Sequence, residues 1–171
     1  MKKTFVSTVT ALLFVVVLTG MAFASPALAR AQRTTLTGTE QRFFGAPQRV
    51  WAADGLTQIR GLSQTGAFAF SGAGITLAGP ETALINATLE ANGNGQTWGV
   101  VTHTDAATGV TCTGPVVGKI TSGLGTLTVV APCSDGALLM GTLQDTETFP
   151  AGQAPPTWVK SAFNGVLLSP R

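Results

Sequence analysis

His103 is the single imidazole of a 171-residue chain, and Asp105 follows two positions later, so the two side chains share a face wherever the backbone is extended. A carboxylate beside a histidine fixes the ring tautomer for general acid–base catalysis. The same pair at a strand end, where Asp105-Ala106-Ala107-Thr108-Gly109 opens a turn, serves the turn instead. Asp145 and Glu147 form a second same-face pair, the carboxylate arrangement that glycoside hydrolysis uses. A solvated strand end accounts for them equally well. Trp51 beside Arg49 and Arg60 offers a cation–π rim or a carbohydrate platform. In Trp98-Gly99-Val100 the ring shares a face with Val100, which points to core packing.

Recognisable catalytic signatures are missing from this list. There is no GxSxG, HExxH, Walker loop or calcium loop, and Asn92-Gly93-Asn94-Gly95 has neither a following helix nor enough carboxylates to cradle a phosphate or calcium. Asn86-Ala87-Thr88 is a glycosylation sequon whose use depends on the source. No metal site and no cofactor are expected: the two cysteines are not a CxxC pair, and His103 stands alone. The leading expectation is therefore a non-catalytic binding or structural module, with a small apolar molecule as the favoured ligand class. Two alternatives stay open, a small isomerase or cyclase working in a barrel cavity and a cell-surface interaction domain.

The elements that must position these residues follow a leader. Met1-Lys2-Lys3 is a short basic n-region, Phe5 to Leu18 is rich in Val, Leu and Phe, and Ala27-Leu28-Ala29 is a small-x-small cleavage pattern. A signal peptide over 1–29, cleaved after Ala29, predicts a secreted or otherwise extracytoplasmic protein of bacterial type, although the apolar run could also be kept as an anchor. No cysteine follows it to carry a lipid. The chain totals ten Lys/Arg and eight Asp/Glu; without Lys2 and Lys3 the balance is eight against eight. That neutrality excludes a nucleic-acid partner, and no later apolar run is long enough for a transmembrane helix. Charge is nonetheless uneven. Arg30, Arg33, Arg42, Arg49 and Arg60 crowd the first part of the mature chain, which suggests strand-end solvation and pairing across the fold, or an anionic ligand at that end.

Residues 30–171 read as one β domain. They hold 20 Gly and 22 Thr, and Thr favours strands while Gly favours the turns between them. Turn signals recur at Asp54-Gly55, Gly72-Ala73-Gly74, Asn92-Gly93-Asn94-Gly95, Ala107-Thr108-Gly109, Ser122-Gly123, Asp135-Gly136 and Asn164-Gly165. Between them lie runs at 34–44, 48–53, 56–62, 64–70, 82–90, 96–104, 110–120, 126–132, 137–148 and 158–168. At 82–90, Ala83, Ile85, Ala87 and Leu89 share one face, and Phe68 and Phe70 are expected in the core. Pro150, Pro155 and Pro156 make 149–156 a loop. So many antiparallel strands in one domain must close into a barrel of about eight strands or stack as a β-sandwich. Short consecutive hairpins favour an up-and-down barrel.

Cys112 and Cys133 lie symmetrically about Ser122-Gly123. If those two residues form the hairpin loop, Thr121 opposes Leu124, Val116 opposes Val129 and the cysteines face each other on the apolar side. A disulfide follows, closing a loop worth roughly 3 kcal/mol. A redox or metal role for two thiolates is the rival reading.

The spacing of Asp54-Gly55 to Arg60-Gly61, Gly93-x-Gly95-x-x-Trp98-Gly99 and Gly109 to Gly114 resembles a group of exported bacterial all-β proteins of unknown function, over about 45–168. More distantly, the chain resembles the eight-stranded barrel of allene oxide cyclase and dirigent proteins. That resemblance implies a closed barrel; it carries over no functional residue, because none of that barrel's site residues maps onto this sequence.

Overall fold

The computed structural model describes residues 31–146 and 158–170. Among them there is no helix. Nine antiparallel strands run in the order β1 (Gln32–Phe44), β2 (Arg49–Ala53), β3 (Leu56–Gly72), β4 (Ile75–Leu89), β5 (Gly95–Thr104), β6 (Thr111–Thr121), β7 (Leu124–Pro132), β8 (Leu138–Asp145) and β9 (Trp158–Ser169). β3 through β9 pair in sequence order, and β1 closes the sheet between β9 and β3. The result is an eight-stranded up-and-down barrel, with β2 as a ninth strand hung on the start of β3. The sandwich alternative is thereby set aside. Closure removes most of the edge that an open sheet would expose, and the short β2 pairs on one side, to β3.

Turn chemistry sets this topology. Asp54-Gly55, Ala73-Gly74 and Ser122-Gly123 each place two successive residues at positive φ, between 47° and 80°, as two-residue hairpin turns matching strand twist require. Two strand expectations need correction. The runs at 56–62 and 64–70 are one strand, β3, bent at a bulge between Ile59 and Leu62 with Gly61 at φ 63°; the bulge lets its first half pair with β2 and its second half with β1. β4 starts at Ile75 rather than 82, running through Gly79-Pro80. Asn164-Gly165 is not a turn either. It lies inside β9, where a Cβ on Gly165 would stand 2.5 Å from the Phe163 ring and 2.3 Å from the Met140 carbonyl oxygen, so glycine serves a close approach.

The barrel is filled by alternate residues of its strands. Leu36, Phe70, Val129, Leu139, Leu143, Val159 and Phe163 are almost wholly buried, and the Phe70 and Phe163 rings stack at 3.9 Å. Phe68, Ile85 and Ala87 are buried as their alternation requires. The β6–β7 hairpin takes the expected register, Val116 opposite Val129 and Thr121 opposite Leu124, and the Cys112 and Cys133 sulfurs lie 2.07 Å apart, at disulfide distance. Replacing both cysteines by alanine is expected to lower stability by about 3 kcal/mol through loop entropy, measured by urea unfolding at fixed pH. A loss below about 1 kcal/mol would show that the hairpin holds this end unaided.

The leader, Glu147 and the expected loop at 149–156 lie outside the described residues.

Candidate functional site

Polar side chains converge inside the barrel, on the face that should hold apolar residues. β1 contributes Glu40 and Arg42 at positions continuing the inward alternation of Thr34 and Leu36, all buried. β4 contributes Glu81, two residues before the inward run of Ala83 and Ile85. β5 contributes His103, opposite Glu81 on one side and Cys112 on the other. Asp145 ends β8, and Ser161 of β9 lies opposite both Asp145 and Glu40.

The contacts form two linked arms. Arg42 Nε lies 3.0 Å from Glu40 Oε1, while its Nη2 donates at 2.5 Å to both Asp145 Oδ1 and Ser161 Oγ. Ser161 in turn donates to Asp145 at 2.6 Å. On the other arm, Glu40 Oε2 accepts from His103 Nε2 at 3.1 Å, which leaves His103 Nδ1 without a partner among the described residues. The imidazole sits edge-on to Phe68 and Phe70, at centroid distances of 4.9 and 5.6 Å. Glu40 is 1% exposed; Glu81 and His103 are each 2% exposed.

Such burial separates the two glutamates electrostatically. Desolvation alone would raise Glu40, but the His103 hydrogen bond and the charge of Arg42 outweigh it and hold this carboxyl below the usual range. Glu81 goes the other way. Burial, the neighbouring Glu40 charge and the hydrogen bond to that side chain push it up to about 10, so it is a neutral acid at pH 7. An ionised and a protonated carboxyl in contact, beside an imidazole, form a potential proton donor and acceptor set. Glu81 Oε2 makes no hydrogen bond among the described residues, an arrangement that burial makes unfavourable.

The other residues singled out by sequence separate from this cluster. Asp105 shares the buried side with His103, yet its carboxylate accepts from the Ala78 backbone and from the Thr108 backbone and hydroxyl. Those bonds, Thr108 first, lower its pKa; it is a turn-capping residue. Asp145 is not a solvated strand end: it is buried and paired with Arg42. Arg49, Trp51 and Arg60 do come together, on the outer wall. Arg49 lies 4.6 Å over the Trp51 ring, and Arg60 lies 5.2 Å over Trp51 and 4.7 Å over Trp98. Trp98 is thus not in the core. It points outward and is 36% exposed, with Val100 at 50%, because β5 buries Thr97, Val101 and His103 instead.

Around Trp98 the outer wall is apolar. Val117 of β6 lies opposite Trp98, and Leu84 of β4 and Pro115 of β6 flank Val100; Val117 and Leu84 are 53% and 49% exposed. A shallow concavity of about 450 Å³ lies elsewhere on the wall, with Arg33, Thr35, Thr128, Thr142 and Asn164 around it, and no residue of the buried cluster lines it. No family model, curated protein or solved structure matches the chain.

Proposed function

We propose that this protein is an exported interaction module that contacts a cell-surface component through the outer β4–β6 face of its barrel. One observation carries the reading: Leu84, Trp98, Val100 and Val117 form a contiguous exposed apolar patch in register across three strands. Isolated surface apolar residues are ordinary, but a joined patch with an aromatic anchor and adjacent arginines is the composition of a contact surface. The leader at 1–29 and the cysteine pair fit an oxidising compartment outside the cytoplasm. Phe68, Phe70 and Phe163 occupy the interior where a small apolar ligand would otherwise lie.

A second reading, a barrel-interior isomerase or cyclase, is favoured by the contact between ionised Glu40 and neutral Glu81 beside His103. It requires substrate to reach groups that are 1–2% exposed, and for that reason it ranks second.

Co-sedimentation with envelope fragments of the producing cells separates the two. A Trp98→Ala, Val100→Thr, Val117→Thr variant alters only outward side chains and is expected to cut the bound fraction at least tenfold, whereas Glu81→Gln leaves it unchanged. Wild-type levels of binding by the triple variant would remove the outer face from consideration. Sedimentation velocity adds a check: a wild-type dimer that the triple variant converts to monomer would make the partner a second copy of the chain.

A further inference from the structure

We infer that Glu40, Glu81 and His103 form a buried site for one divalent transition-metal ion of the zinc class, cross-linking β1, β4 and β5 inside the barrel. One ligand atom from each residue lies within 4.8 Å of the other two. The Glu40 Oε2 to His103 Nε2 separation is already 3.1 Å, and two ligands bound to one ion at 2.0–2.2 Å stand roughly 3.0–3.5 Å apart. The Glu81 carboxylate adjoins Glu40 through a side-chain hydrogen bond, so it completes the set from the third strand.

An independent observation points to the same place. Glu81 Oε2 is a carboxyl oxygen in a side chain 2% exposed, with no hydrogen-bond partner among the described residues, and a coordinated cation is a partner that would satisfy it. Arg42 does not compete for the binding atoms. Its Nη2 is held by Asp145 and Ser161, and it meets Glu40 through Oε1, leaving Oε2 directed at His103. The donor set also selects the ion. One imidazole nitrogen with two carboxylates suits zinc and its neighbours, whereas calcium requires six to eight oxygens that the cluster does not have. A metal here is structural, since its three ligands are each at most 2% exposed.

The test is zinc titration of oxidised, chelator-treated protein, performed both on the folded chain and during refolding from urea, because so enclosed a site fills most readily as the barrel closes. Wild type is expected to bind one zinc per chain and to gain about 5 °C or more in Tm at saturating metal, with no gain from calcium. Glu81→Gln and His103→Gln should each weaken binding at least tenfold, while exposed Glu90→Gln keeps the wild-type response. Absence of a zinc-dependent shift in wild type under both regimes would overturn the assignment and leave a proton-sharing carboxyl pair only. An undiminished response in Glu81→Gln would also overturn it, by placing the zinc elsewhere, and an equal calcium response would reject the zinc class.

Discussion

Arg42→Met is expected to destabilise the barrel by about 3–5 kcal/mol at pH 7, a large part of the 5–15 kcal/mol that holds a typical domain folded. The substitution keeps the approximate length and packing of the side chain. What it removes is the guanidinium shared by Glu40, Asp145 and Ser161. Two carboxylates would then be buried without their cation, and an uncompensated buried charge costs far more than a completed pair contributes. Glu40 makes the loss depend on pH. With Arg42 gone, one of the influences that hold its carboxyl low against burial disappears while those of His103 and Glu81 remain, so the variant should recover part of its stability in acid, where the carboxyl can be protonated. A triple variant, Arg42→Met with Glu40→Gln and Asp145→Asn, is expected to recover more than half of the deficit at pH 7, because neutralising the whole network is much cheaper than breaking it. Urea unfolding with the disulfide intact measures all three. If Arg42→Met falls within about 1 kcal/mol of wild type, the network is not what holds β1 to β8 and β9.

Much of this architecture is legible in sequence because it is written in local chemistry. Asp54-Gly55 and Ser122-Gly123 accept the positive φ their turns demand, and the symmetry of Cys112 and Cys133 about the second turn specifies the hairpin register. The errors occur where tertiary context overrides a local signal. Asn164-Gly165 has the dipeptide of a turn, but the ring of Phe163 needs the space above Gly165. The alternation is clear only from 82 onward, yet β4 begins at Ile75 and passes through Gly79-Pro80, with Pro80 opposite Ala67. The break expected between 62 and 64 does not occur, since Leu62, Ser63 and Gln64 pair in continuous register with β4, and the irregularity of β3 is a bulge just before them, between Ile59 and Leu62.

The buried cluster was only half visible. His103 and Asp145 are conspicuous as ionisable residues near strand ends, but Asp105, the neighbour expected beside His103, caps the Thr108 turn instead, and Glu147 lies outside the described residues. Across a barrel, the groups that meet come from distant strands: Glu40 reaches His103, and Arg42 reaches Asp145 across 103 residues. One signal was available. Glu81 has the same parity as Ala83, Ile85 and Ala87, and Glu40 and Arg42 have the parity of Leu36, so each is a charge on an apolar face. Trp98 fails for the complementary reason: both faces of β5 carry apolar residues, and the single periodicity of Trp98 and Val100 does not reveal which face is inside.

Glu81→Gln is expected to do what few core substitutions do, and stabilise the metal-free protein at pH 7. In the folded barrel Glu81 keeps its proton up to about pH 10, whereas in the unfolded chain it ionises near its ordinary value of 4.5. A folded-state pKa raised in this way contributes stability that is complete below the unfolded value and is lost as pH rises towards the folded one. The loss runs at about 1.4 kcal/mol per pH unit. By pH 7 it amounts to roughly 3 kcal/mol. Glutamine has the shape of the neutral acid, can donate from its amide to Glu40, and does not ionise in the unfolded chain, so the loss disappears. One amide hydrogen remains without an obvious acceptor and offsets part of the gain. In chelator, the variant should therefore exceed wild type by about 1–3 kcal/mol at pH 7, with the advantage growing towards pH 9 and vanishing near pH 4.5. Urea unfolding at those three pH values reads the slope directly. A pH-independent difference would mean that Glu81 does not carry a displaced proton, and a loss of more than about 1 kcal/mol at pH 7 would mean that the buried carboxyl is held ionised by its neighbours.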